Sequence, residues 1–320
     1  MARQDSEKLA RVAAAGARLR TDAGTAEVLD RFDRARVRAL LLKGPSIASW
    51  LYADPAERPY YDCDLLVGPA DFDAAERALR SLGYVPMVDR WGLPTWWYGH
   101  AVAWTHPDGR VSVDLHRTLI GVRADHATVW RVLSSGVDEI LVGGRRAACL
   151  GLPARAMYVA LHASQHGSAT QPAVDLERAL TLGDDGLWVG AGALADQLDA
   201  TAAFVAGLRL APDGARLAAR LALPEVRSVT AELRASTPPP LALGFEQLAS
   251  APTLRARAEI VWRNLAPSPA VLRGSDQRAA GSWRGLVAAY LRRLAWLARH
   301  GPRGFEAWYR VHRVVGRRRG

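Results

Sequence analysis

The sequence predicts an α+β protein: a mixed sheet with helices before it, then an α-helical C-terminal domain. Three observations predict this. Apolar runs of strand length alternate with helical patterns over the first 85 or so residues; alternating runs joined by turn residues follow as far as Leu150; beyond Pro153 helical periodicity takes over, broken only by Gly and Pro. The expected division is 1–150 for the sheet-containing domain with its N-terminal helices and 151–320 for the helical domain, which would close over a cleft.

The first 36 residues read as helical, with Val28, Leu29, Phe32 and Ala35 at helical spacing and Thr25 as a candidate cap after Gly24. VRALLLKG is a strand ending at Lys43-Gly44, and Pro45 suits the first turn of the helix PSIASWLYA, because its missing N–H has no partner to lose there. The loop DPAERPY leads into the strand DCDLLV, then into the helix of DFDAAERALRSLGY, with Gly83 as its stop. Strands follow in YVPMV, WWYGHAVAWTH and RVSVDLHRTL. The turn Pro107-Asp108-Gly109 makes the last two antiparallel neighbours. A helix from His126 to Leu133 and a hairpin, EILV and RAACL about Gly143-Gly144, complete the first domain.

With 320 residues, 49% hydrophobic and 23% charged, the chain has an ordinary globular composition. No run approaches the roughly 20 apolar residues of a membrane span, and the N-terminus has no cleavable hydrophobic core, so a cytoplasmic location is expected. The two cysteines, Cys63 and Cys149, have no metal-type spacing and read as free thiols. A net charge of +10 favours polyphosphates in general, but much of the excess lies in the C-terminal stretch from Arg292, so nucleic acid is not the expected partner.

The chemistry begins at Tyr60-Tyr61-Asp62-Cys63-Asp64-Leu65. Side chains alternate along a strand, so Asp62 and Asp64 share a face and Cys63 takes the other. Two carboxylates held that close repel unless one is protonated or a cation lies between them, and oxygen ligands select a hard ion such as Mg²⁺. In VSVDLH, Asp114 and His116 share a face of a strand that can lie beside DCDLLV. Three aspartates from neighbouring strands suit a two-metal site for phosphoryl chemistry, and Lys43, Gly44 and Ser46 at a helix N-terminus offer a place for phosphates.

These residues carry a resemblance. LLKG, an Arg before YDCDLLV, a helix ending in LGY, VDLH, a helix with paired His, and an Asp-Leu segment are similar to the uncharacterised nucleotidyltransferase family of bacteria, within the DNA polymerase β-like nucleotidyltransferase superfamily. The matching positions are Lys43 and Gly44, Arg58, Asp62 and Asp64, Gly83 and Tyr84, Asp114 and His116, His162 and His166, and Asp175, covering about residues 37 to 180. The resemblance implies a polymerase β-like fold and transfer of a nucleoside monophosphate from a nucleoside triphosphate to a hydroxyl of a small-molecule, sugar or peptide acceptor, in natural-product or polysaccharide biosynthesis. It implies two Mg²⁺ ions, with Mn²⁺ as the substitute, held by Asp62, Asp64 and Asp114, and a triphosphate carried by Lys43, Gly44, Ser46 and Arg58. Glycosyl transfer from a sugar nucleotide, or a silent nucleotide-binding module, are the alternative readings of the same site.

His116 is expected either to touch metal or substrate or to hydrogen-bond an aspartate. His162 and His166 are four apart on one helix face, without a third ligand, and are expected to be packed histidines with a lesser role at substrate. Trp91, Trp96, Trp97 and Trp104 are expected in core and hairpin packing. The same holds for Trp283, Trp296 and Trp308 of the basic C-terminal helices, although those helices also suit an anionic membrane surface.

Overall fold

The structure, a computed structural model, describes residues 2–87, 99–166, 170–224, 228–236, 238–251, 253–275 and 282–317. Two compact units divide the chain. The first comprises 1–87, 98–159 and 174–201, and the second 88–97, 160–173 and 202–320.

The first unit opens with α1 (Ala2–Arg34), β1 (Ala39–Leu41), α2 (Pro45–Leu51), β2 (Asp62–Val67), α3 (Phe72–Ser81), β3 (Val85–Pro86), β4 (Ala101–Thr105) and β5 (Ser112–His116). After these come α4 (His126–Leu133), β6 (Val137–Val142), β7 (Arg145–Leu150), α5 (Leu152–His166), α6 (Thr170–Leu182) and α7 (Asp185–Gln197), with residues 160–173 of α5 and α6 counted in the second unit. Among the described residues seven strands form one mixed sheet in the order β3-β4-β5-β2-β1-β7-β6. β2 and β5 run parallel, as do β1 and β7; the other neighbours are antiparallel. The expected mixed sheet is present, and so are both expected antiparallel pairs, β4–β5 and β6–β7.

The central strands are the apolar ones. Leu41, Leu65, Leu66 and Leu115 are fully buried, and Cys63 and Cys149 are buried free thiols. Trp104 is buried beneath the Arg80 guanidinium, as its packing role requires. Helix α4 starts where Asp125 accepts hydrogen bonds from the N–H groups of Ala127 and Thr128, both at 3.0 Å.

Two expectations differ locally. Helix α1 runs straight through Gly24, and Thr25 is a buried interior residue rather than a cap. The glycine serves close approach instead: a Cβ there would lie 2.4 Å from Val111 Cγ1, just ahead of β5. Of the expected strand YVPMV, only Val85–Pro86 is strand among the described residues. Trp91, Trp96 and Trp97 lie outside the described residues.

The second unit contains α8 (Thr201–Leu208), α9 (Pro212–Arg220), α10 (Val229–Ala235), α11 (Ala242–Ser250), α12 (Leu254–Leu265), α13 (Pro269–Ser275) and the 35-residue α14 (Trp283–Arg317). The fold is therefore α+β with a helical C-terminal region. Trp308 packs against Phe245 and Phe305 and donates from Nε1 to Glu246, as expected. Trp283 and Trp296 do not follow that expectation, being 70% and 41% exposed.

Candidate active site

β2 and β5 pair in parallel with Asp62 opposite Ser112, Asp64 opposite Asp114 and Leu66 opposite His116. Because alternate residues share a face, this register brings Asp62, Asp64, Asp114 and His116 onto one side of the sheet, and Cys63, Val113 and Leu115 onto the other. One ligand atom from each of Asp64, Asp114 and His116 lies within 4.8 Å of those of the other two. Asp62 stands outside that group; its Oδ2 receives Lys43 Nζ at 3.1 Å. Lys43 Nζ is also 3.2 Å from Asp64 Oδ2, so the ammonium occupies the space between the two β2 carboxylates.

Lys43 reaches this point because β1 pairs with β2 and the chain then turns at Gly44 into α2. Gly44 has φ +65° and ψ −115°, a backbone conformation that favours glycine, and a Cβ there would press on the Tyr60 ring at 3.4 Å. The turn thus fixes both Lys43 and the tyrosine that precedes the carboxylates. Tyr60 is anchored in turn by donating its hydroxyl to Asp22 Oδ1 of α1 at 2.7 Å.

The electrostatics follow from burial and spacing. Asp64 is 2% exposed. Burial alone would push its carboxyl up, but a hydrogen bond to His116 Nε2 at 3.0 Å and the Lys43 charge outweigh it and hold the group below the usual carboxylate range. Burial and the neighbouring Asp64 charge push Asp114 the other way, up to about 6. For Lys43, burial acts downward, yet Asp64 and Asp62 dominate and hold the ammonium well above the usual lysine range.

The cluster fits a divalent cation on its own terms. Nδ1 of His116 is buried without a hydrogen-bond partner, and the buried Asp64 Oδ2 meets the Lys43 ammonium at 3.2 Å. The carboxylates of Asp62, Asp64 and Asp114 share the Lys43 ammonium, and Asp114 is pushed up first by burial and then by the Asp64 charge, which a cation would offset. Oxygen donors of this kind suit a hard divalent cation.

The other expected residues have the following places. The Ser46 hydroxyl is buried and donates to the carbonyl of Leu42 at 3.2 Å. Arg58 is 3% exposed and grips Asp175 of α6, with Nη2 at 2.7 Å and Nε at 3.0 Å from Oδ2. Tyr52 donates to the same carboxylate at 2.8 Å. Ser46 and Arg58, two of the three side chains expected to carry phosphate, are thus engaged inside the fold, and the third, Lys43, meets the β2 carboxylates. His162 and His166 belong to the second unit and stack edge to face, ring centroids 4.6 Å apart. Tyr158, in an apolar helix and not singled out by the sequence, is buried, and burial followed by the Asp64 charge pushes its hydroxyl above the usual tyrosine range.

The model of the family described as uncharacterised nucleotidyltransferase matches residues 6–213. The chain belongs to that family. Its matched part takes in every strand of the sheet and each residue of the carboxylate cluster. Membership makes the protein an enzyme of the nucleotidyltransferase class. No curated protein matches the chain significantly. Among solved structures, the antibiotic-resistance factor ANT(2″)-Ia aligns at 15% identity and a TM-score of 0.40, over 56% of this chain and 93% of that one. The lincomycin-bound lincosamide antibiotic adenylyltransferase LnuA aligns at 15% and 0.36, over 50% and 96%. An antigenic nucleotidyltransferase-like protein from Paracoccidioides brasiliensis aligns at 13% and 0.33, over 57% and 93%. Likeness this distant transfers no residue roles to the nucleotidyltransferase described here.

Proposed function

We propose that the protein transfers a nucleoside monophosphate from a nucleoside triphosphate to a hydroxyl of a small-molecule acceptor, in a metal-dependent reaction serving a biosynthetic pathway. The observation that carries this reading is the register of β2 against β5, which sets Asp64 opposite Asp114 with Lys43 between the carboxylates of β2. Asp62, Asp64 and Asp114 would hold the divalent ion, with His116 beside them. Bound there, the ion would neutralise triphosphate charge and make the acceptor hydroxyl more acidic. Asp114 would take the proton of that hydroxyl, a role that its raised carboxyl supports, and His116 hydrogen-bonds Asp64. Lys43 would exchange its carboxylate partners for phosphate oxygens once a cation satisfied the aspartates.

The test uses the purified protein with Mg²⁺, a nucleoside triphosphate labelled at the α-phosphate, and a panel of hydroxylated acceptors. Label should enter an acceptor with release of pyrophosphate, and Asp64→Asn should lower the rate at least a thousandfold with an unchanged circular dichroism spectrum. Full activity in Asp64→Asn would sink the reading, and an acceptor gaining a sugar without phosphate would replace it with glycosyl transfer.

A further inference from the structure

Helix α14 has an inner face that is fully accounted for. Tyr290 donates to the Pro267 carbonyl at 2.6 Å, and Arg293 donates to the Asn264 carbonyl at 2.7 Å. Ala289 packs with Leu272, and a Cβ on Gly304 would meet the Pro240 carbonyl at 2.5 Å. Its outer face is unusual for a surface helix. Trp283, Val287, Leu291, Leu294 and Tyr309 are 70%, 49%, 62%, 44% and 45% exposed, while Phe305 on the same side is half covered by its edge-to-face contact with Phe245. At 3.6 residues per turn they fall within an arc of about 80°, along roughly 39 Å of helix.

The neighbouring arc is cationic. Arg284, Arg292, Arg299, Arg303, Arg310 and Arg313 are all exposed and occupy roughly the next 100° of the wheel, against a single acid, Glu306, in the whole helix. At its other edge the apolar stripe meets, at Gly301, an apolar cleft of about 220 Å³ between α11, α12 and α14, lined by Phe245, Leu248, Ile260 and Leu297. Beside that cleft α12 exposes Leu265 and Trp262, 45% and 69%.

We infer that α14 is a membrane-surface helix, which docks the protein in the plane of a bilayer carrying anionic lipids. The charge pattern selects this occupant. A second copy of the chain would bring one arginine row against another, a repulsion with no acidic row to relieve it. A groove-binding partner helix needs anchors over two or three turns, whereas this stripe runs for about seven. An apolar face flanked by arginines, with Trp and Tyr among its residues, is the pattern that sinks into the headgroup boundary while the guanidinium groups meet lipid phosphates. The helix does not cross the membrane: among the described residues no helix is long and apolar enough to do so.

The test is flotation of the full chain with vesicles of phosphatidylcholine alone, or with about 30% phosphatidylglycerol, at 0.1 and 0.5 M NaCl. Binding to the anionic vesicles is expected, at least tenfold stronger than to the neutral ones and several-fold weaker at the higher salt. The double substitution Trp283→Ser with Leu291→Ser, the two most exposed apolar positions of the helix, should weaken it at least tenfold with unchanged melting temperature. No flotation, equal binding to both vesicles, or undiminished binding of the double variant would each overturn the inference. So would a concentration-dependent dimer, or retention on polyglutamate without flotation, either of them lost in the double variant; these would assign the face to a second copy or to an acidic polypeptide.

Discussion

Asp62 and Asp64 sit on one strand face with the Lys43 ammonium 3.1 and 3.2 Å from their oxygens, so one lysine balances a pair of charges that would otherwise repel. Removing it leaves the buried Asp64 paired only with His116. Lys43→Met should therefore destabilise the metal-free protein by about 2–4 kcal/mol in urea denaturation, and saturating Mg²⁺ should recover part of the loss. Asp114 behaves in the opposite sense. Its folded-state value, about 6, lies above the ordinary 3.8, so its stabilising contribution is present below pH 4 and is lost as pH rises through 6. Asp64, held low, contributes stability above pH 4 and loses it as pH falls. Asp114→Asn should then be inactive yet melt higher than the wild type at pH 7.5 in EDTA, with the two curves converging near pH 4. A lower melting temperature for the variant at pH 7.5 would show that Asp114 is not the strained member of the cluster.

Elements deliver these residues through short-range devices. The Gly44 turn joins β1 to α2 and aims Lys43; the parallel β2–β5 register sets the aspartates opposite each other. The Arg58–Asp175 pair ties the loop before β2 to α6, with both side chains nearly excluded from solvent. Breaking it from one side is costly because the remaining charge is stranded: Asp175→Leu should destabilise the protein by about 3–5 kcal/mol. Replacing both members, Arg58→Met with Asp175→Leu, should return most of that stability. The double variant also separates two roles for Arg58. Retained nucleotidyl transfer marks the arginine as a structural tie, and a refolded but inactive protein marks it as a phosphate contact.

On the scale of the whole molecule, the carboxylate strands lie within the sheet, with β4 and β3 beyond β5 on one side and β1, β7 and β6 on the other. Strands with neighbours on both edges open only when the sheet does. Amide exchange should accordingly be slowest in β1, β2 and β5 and faster in the outer strands β3 and β6. Faster exchange in β2 than in β6 would contradict this order.

Much of this was legible in the sequence because it rests on local periodicity. Alternation placed Asp62 with Asp64 and Asp114 with His116; Pro45 after Gly44 marked the turn; the pattern change after Leu150 marked the helical region, and the motif order pointed to the family that residues 6–213 match. Tertiary structure alone decided which partners those side chains meet. Lys43 went between the carboxylates, Arg58 went to an acid more than a hundred residues away (117 apart), and Ser46 turned to its own backbone. The same holds for α14, whose sequence suits packing on every apolar residue, while the fold buries only one face and leaves Trp283 and Leu291 outside. The physical reason is common to all of these. Periodicity states which face a side chain shares, but the partner across that face is set by strand order and helix packing, which join residues far apart in the chain and depend on the sum of many weak contacts.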